Sequence, residues 1–488
     1  MLFRRSTRTR RTRSARFAAE VAQPLEARTL LAGGANVVIG AGATGDIVVD
    51  GSRVQSVQVL NGATLGTLTI LGDQSATRSD IRVNIQHDAF VNVLDVQGGR
   101  GTETATIRGI VETVNFIGGG GSDTLGTFGT SQVGSINFQG DTGNDRLVVT
   151  GFVGGDVNVD GGLGNDRLAI SDRADVRGTV VGSLGGGDDR VVIQSGPAGQ
   201  TKLNNVALDL GDGTNVFDFF SPTQIKGDLT LEGGSGTDVV RFRGGRGVDD
   251  VLGNVTINTG AGNDDVALAG PVNISGDFAL DTGENSDRVS FESLTLLGSQ
   301  TIDLGGAAGG RDSLKLGDDR ISGSSAITSV GNVFLQEREQ RIVGGDYTVV
   351  VGDARLDAAL TGGSVVGGDI KIQSGAVATV ALNATVLSGR VDITTDRGND
   401  RLFLSGLRVE NGPLNIRSGA GDDRISLRGA AVGGTLFVDA GLGDDTVLNG
   451  GRISAGVATY LGGAGFDFLT SAAGVNASGF EQVGPTSH

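Results

Sequence analysis

One phrase recurs along this chain and limits what it can fold into: glycine, any residue, glycine, any residue, acid, then an alternating apolar run. It reads Gly-Ala-Gly-Asp-Asp-Arg-Ile-Ser-Leu at residues 419–427, Gly-Leu-Gly-Asp-Asp-Thr-Val-Leu-Asn from Gly441, and Gly-Ala-Gly-Asn-Asp-Asp-Val-Ala-Leu from Gly260. Aligned on the final acid, the copies fall at Asp123, Asp145, Asp166, Asp189, the variant Asn215, Asp238, Asp264, Asp287 and Asp312, with gaps of 21 to 26 residues. The series resumes at Asp400, Asp423, Asp445 and Asp467 after 88 residues, room for four repeats of 22. Asp-Asp-Arg at residues 318–320 competes with Asp312 for the phase there.

Between the acids lie short runs whose apolar residues alternate, such as Leu414 and Ile416, Ile425 and Leu427, Leu436 and Val438. Alternation at period two puts each pair on one face of a strand. Some 22 residues cannot enclose a core alone, so units of this length must stack, each strand pairing with its equivalent in the next unit. The expected fold is all-β, a parallel β-helix with coils of about 22–23 residues. A string of β-sandwich domains would instead repeat about every 100 residues. The irregular stretch Ile321 to Val391 keeps its alternation at Val333 and Leu335, Val349 and Val351, and Ile370 and Ile372, and is expected to continue the rod without acidic turns.

Composition agrees. The chain has 86 Gly but only 6 Pro, no Trp and no Cys, so its core must come from aliphatic side chains. Net charge is −17, and residues 1–32 hold eight Arg against two Glu, leaving −23 on the remainder, which argues against nucleic acid as a partner. No run approaches the roughly 18 apolar residues of a membrane-spanning helix. The expected organisation is a basic leader over 1–34, disordered or removed; a cap with early coils over 35–102; the acid-turn helix over 103–470; and a C-terminal cap or tail over 471–488.

Within the leader, Leu25-Glu26-Ala27-Arg28-Thr29-Leu30-Leu31-Ala32 resembles the LEPR-XLL segment at the N-termini of large planctomycete surface and secreted proteins, with Ala27 where that motif most often has Pro. The resemblance implies export to the cell surface or beyond. The repeated phrase resembles the RTX calcium-binding repeat, closest in Gly118–Asp123, Gly161–Asp166, Gly233–Asp238 and Gly462–Asp467. RTX phrases follow one another every nine residues, whereas here one occurs per coil.

In a parallel stack the acids form a column of like charges about 4.8 Å apart, which must be neutralised. Calcium, a hard cation that takes six to eight oxygens, is one means. By the RTX resemblance its ligands would be Asp123, Asp145, Asp166, Asp189, Asp238, Asp264, Asp287, Asp400, Asp423, Asp445 and Asp467. A metal-free alternative pairs the acids with the Arg that follows at Arg146, Arg167, Arg190, Arg288, Arg401 and Arg424, or with backbone N–H groups of their own turns. The glycines are expected to supply positive φ.

No catalytic set emerges. His87 stands beside Asp88 in what reads as a strand, where neighbours face opposite ways, and the other histidine is the final residue. Only Tyr347 and Tyr460 could add a hydroxyl-bearing aromatic platform, and the four lysines, Lys202, Lys226, Lys315 and Lys371, are scattered. The expectation is a secreted or cell-surface rod with a structural or adhesive role and no catalytic activity. Its partners would be extracellular matrix, polysaccharide or other surface proteins. The alternative is a β-helix that binds or processes polysaccharide.

Overall fold

The computed structural model describes residues 29–31, 36–52, 54–73, 80–245, 250–306, 310–383, 385–471 and 476–485. Among them there is no helix; every strand pairing between coils is parallel, and the chain winds as a β-solenoid of about 19 turns. One ladder of strands begins with Thr44–Asp50, Thr64–Leu71, Phe90–Gln97, Ile110–Gly120 and Gln132–Thr142. A second begins with Asn36–Ile39, Ser56–Val59, Ile81–Ile85, Glu103–Ile107, Thr124–Thr127 and Arg146–Val149. From Arg320–Ile321 onward a third, narrow ladder of two-residue strands runs through Ile342–Val343, Val365–Val366, Val386–Leu387, Arg408–Val409 and Ala431–Val432.

Period-two alternation supplies the core. In Arg146–Val149, Leu147 and Val149 point inward beside their counterparts Leu168 and Ile170, and the pattern repeats at Val191 and Ile193. One continuous aliphatic cluster extends from Val37 to Leu469. Phenylalanines enlarge it locally, with the rings of Phe116 and Phe138 stacked 5.5 Å apart on neighbouring coils.

The register carries through the irregular stretch. Asp312 pairs with Val333, Val333 with Leu356, and Leu356 with Ala378, whose N–H then meets Asp400. The column position therefore passes through three coils with apolar occupants, and Asp312 rather than Asp319 holds the phase. One boundary moves: Thr29–Leu31, within the expected leader, pairs in parallel with Ile47, Val48 and Val49. The rest of the leader, including Leu25 to Arg28, lies outside the described residues. At the other end, Asn476–Ser478 and Gln482–Pro485 add further strands to the first two ladders.

Candidate functional site

The repeated acids occupy the inner corner just before each strand of the second ladder. Asp123, Asp145, Asp166, Asp189, Asp238, Asp264, Asp287, Asp400, Asp423, Asp445 and Asp467 are all buried, with exposures of 0 to 3 %. Parity explains why: Asp145 shares the inward face with Leu147 and Val149, while Arg146 faces out.

Every one of these carboxylates except that of Asp238 reaches back one coil; the Asn215 N–H that would meet Asp238 bonds the Thr237 carbonyl instead. The N–H of Asp123 donates to Asp145 Oδ1, that of Asp145 to Asp166 Oδ1, and that of Asp166 to Asp189 Oδ1, each at 2.6 Å. The N–H of Asp189 donates to the Asn215 side-chain oxygen at 2.9 Å. The same bond links Asp238 to Asp264, Asp264 to Asp287, and Asp287 to Asp312, then resumes from Ala378 to Asp400, Asp423, Asp445 and Asp467. The partner is the neighbouring coil's N–H, and the expected bond within the residue's own turn is corrected accordingly. The acid thus satisfies a corner N–H that burial would otherwise strand, at a cost of about 1–3 kcal/mol per unpaired group.

A second ladder runs along the outside of the same corner in the opposite direction. The N–H of Asn165 donates to Asn144 Oδ1, that of Asp188 to Asn165 Oδ1, and further on that of Asp444 to Asp422 Oδ1, at 2.9 to 3.0 Å.

The glycines have a more specific role than turn geometry alone. A glycine five residues before the acid, where the repeat has one, makes room for that aspartate: a Cβ on Gly140 would stand 2.4 Å from Asp145 Oδ2, and one on Gly161 2.6 Å from Asp166 Oδ2. The last glycine does have positive φ, +134° at Gly164, and a Cβ there would lie 1.5 Å from the Gly143 carbonyl oxygen one coil back. Stacking at this corner is so close that the position is glycine before every column aspartate but Asp287, where Asn285 takes it at a φ of 89°.

Burial controls the electrostatics. The Oδ2 atoms of Asp145, Asp166, Asp189 and Asp445 are buried with no hydrogen-bond donor. Burial pushes Asp123 up to about 8, Asp145, Asp189, Asp287 and Asp423 to about 7, and Asp238 and Asp445 to about 6, with N–H bonds opposing the rise and like neighbours adding to it. Protonation neutralises such a column without any counter-ion.

The Arg reading is overturned. Among the described residues no ion pair joins a column aspartate to Arg146, Arg167, Arg190, Arg288, Arg401 or Arg424; successive residues on a strand face opposite ways, and Arg190 instead pairs with Asp218. As arranged, the column does not fit calcium either. Each carboxylate except that of Asp238 has one oxygen committed to an N–H, and the other lies buried inside the stack, so the six to eight convergent oxygens of a calcium site are not assembled. Among the described residues no three carboxylate or imidazole groups come together.

Elsewhere, His87 Nδ1 bonds Asp88 Oδ1 at 2.8 Å on an exposed turn, so these neighbours touch because they do not lie in a strand. Tyr347 and Tyr460 are core residues, each 1 % exposed. Among the described residues no helix is long and apolar enough to cross a membrane.

Two ladder members escaped sequence reading. Glu103 is buried and opens the first run, its N–H donating to Asp123 Oδ1 at 2.6 Å, and Glu481 closes the second by accepting from the Asp467 N–H at 2.6 Å. The signal was present: Gly98-Gly99-Arg100-Gly101-Thr102-Glu103 is the same phrase with glutamate in the acid position. No family model, curated protein or solved structure matches this chain.

Proposed function

We propose that the protein is a non-catalytic structural rod, exported to the cell surface or the surrounding matrix, where it spaces or attaches other components. The observation that carries this reading is the use of the repeated acids: each is buried and all but Asp238 spend an oxygen on the backbone of the adjoining coil, so the phrase serves the cohesion of the stack. The export part rests on the Leu25 to Ala32 resemblance.

The test is immunogold labelling of native cells with antibody raised against residues 103–470, together with an attachment assay on a strain lacking the gene. Label on the envelope or in the extracellular material, with weakened attachment or an altered envelope, is expected. Label confined to the cell interior, or release of reducing ends from a polysaccharide panel by the purified chain, would overturn the reading.

A further inference from the structure

Beyond a structural role, the outer face of the second ladder has an arrangement that stacking does not require. Register places Arg146 beside Arg167 and Arg167 beside Arg190, three guanidinium groups on consecutive coils. All three are exposed, and like charges directly opposite one another on a sheet repel. Among the described residues Arg146 and Arg167 have no carboxylate within ion-pair reach, and only Arg190 has one, Asp218. A protein with net charge −17 holds this cationic track on one face, with Arg146 and Arg167 unpaired.

Beside the track opens a surface groove of about 960 Å³, with Arg146 common to both. Its lining includes Phe128, Phe152, Asp172, Arg173 and Asp175. The two rings belong to neighbouring coils, and Arg108 and Arg177 lie over them at 5.7 and 4.8 Å from their centroids. Asp172 and Arg173 adopt left-handed backbone conformations in succession, with φ of 51° and 70°. That conformation is disfavoured for arginine, and strain of this kind gathers at ligand-holding loops.

We infer that this face binds a linear acidic polysaccharide, its carboxylates seated on the unpaired Arg146 and Arg167 and one sugar ring lodged against Phe128 and Phe152. Guanidinium groups hold carboxylates through paired N–H bonds, and the track presents them about 4.8 Å apart. The groove narrows the class of polymer. Asp172 and Asp175 accept hydrogen bonds from sugar hydroxyls that lie between successive carboxylates. A sugar polymer with spaced anions satisfies both the arginines and these aspartates, whereas duplex nucleic acid, with a charge about every 1.7 Å, meets the acidic body of the protein.

Binding of the full chain to polygalacturonate, measured by titration calorimetry at low and moderate salt, tests this, with dextran and duplex DNA as contrasts. The double variant Arg146→Gln/Arg167→Gln is compared with Arg401→Gln/Arg424→Gln, which removes the same charge from another in-register pair. Polygalacturonate binding at least tenfold weaker in the first variant, nearly unchanged in the second, with no binding of dextran, is the expected result. Equal losses in both variants, no binding by the wild-type chain, or tighter binding of DNA would each overturn the proposal. Because the substituted side chains are exposed, unchanged melting of both variants separates lost binding from lost folding.

Discussion

Coils 103–312 and 400–467 build their interior differently from the coils between them. In the flanking regions the corner before the second ladder holds acids, and in the coils that adjoin the middle the next corner is apolar, with Leu294 on one side and Leu407 and Ala430 on the other; farther toward the N-terminus that corner holds small residues, among them Ser131, Thr201 and Thr223. In the middle the assignment reverses. Val333, Leu356 and Ala378 occupy the acid column, while the residues preceding the narrow ladder become Asp319, Arg341, Ser364 and Thr385, all buried. The rod therefore depends on phase and on satisfied interior polar groups, and it tolerates moving those groups from one corner to another.

The middle region satisfies its polar groups with a network instead of a repeated rung. Arg341 Nη1 donates to Glu337 Oε1 and Arg341 Nη2 to Ser325 Oγ, both at 3.0 Å, with Gln300 Oε1 as a further acceptor. Tyr347 donates to Glu337 Oε1 at 2.7 Å. Arg341 is 1 % exposed, and removing one member of a buried ion network typically costs about 3–5 kcal/mol. Arg341→Met should therefore produce the largest loss available in the molecule, read as collapsed hydrogen-exchange protection across Asn332–Glu337 and Tyr347–Val351. Replacing the charged group as a whole, with Glu337→Leu and Asp319→Leu added, should restore most of it, because Leu360 and Leu294 already fill the adjoining positions. If the single variant keeps its protection, the middle region does not rely on this network.

A second contrast sets glycines of the two regions against each other. Gly164→Ala would place a methyl group 1.5 Å from a carbonyl oxygen at a φ of +134°, and should cost about 3 kcal/mol through strain and displaced stacking. At Gly352 the nearest atom to a new Cβ is 3.6 Å away, and Gly352→Ala should change exchange protection hardly at all. Equal effects at the two sites would show that close stacking at the acid corner does not limit the fold.

Much of this organisation was legible because solenoids repeat. The period placed the acid column, and the 88-residue interval predicted that Asp312 and Asp400 share one phase. Parity also contained the inward direction of Asp145, since it matches Leu147 and Val149, but an acid at a turn is naturally read as exposed. The Arg341 network was not legible. Gln300 and Ser325 lie 41 and 16 residues from Arg341, and no local pattern announces that separate coils bring them together. The period also aligned Arg146, Arg167 and Arg190, but that these side chains face outward, away from the aspartates, became visible only in the structure.

The smallest effect is the one that best sharpens the comparison. Asn215 already replaces an acid in the column: its side-chain oxygen accepts from Asp189, and its Nδ2 donates to the Gly211 carbonyl at 3.0 Å. Asp145→Asn should keep the bond from Asp123 and supply a donor in place of the orphaned Oδ2. The folded-state value of Asp145 is raised to about 7 from 3.8, so the folded chain binds protons more tightly than the unfolded one. That contribution is complete below about pH 3.8 and disappears as pH rises through about 7, so the flanking coils should be less protected at pH 8 than at pH 5. Asp145→Asn should therefore gain about 1 kcal/mol over wild type at pH 8 and little at pH 5, while Asp145→Ala, which strands the Asp123 N–H, loses at both. The middle coils have Val, Leu and Ala in the column, and burial raises their Asp319 against the opposing charge of Arg341, so they should show a smaller change across this pH interval. Calcium and chelator arms complete the test. Identical protection in both buffers is expected of a protonated column, whereas calcium-dependent protection in the flanking coils that Asp145→Asn abolishes would replace the proton with a metal as the neutralising partner.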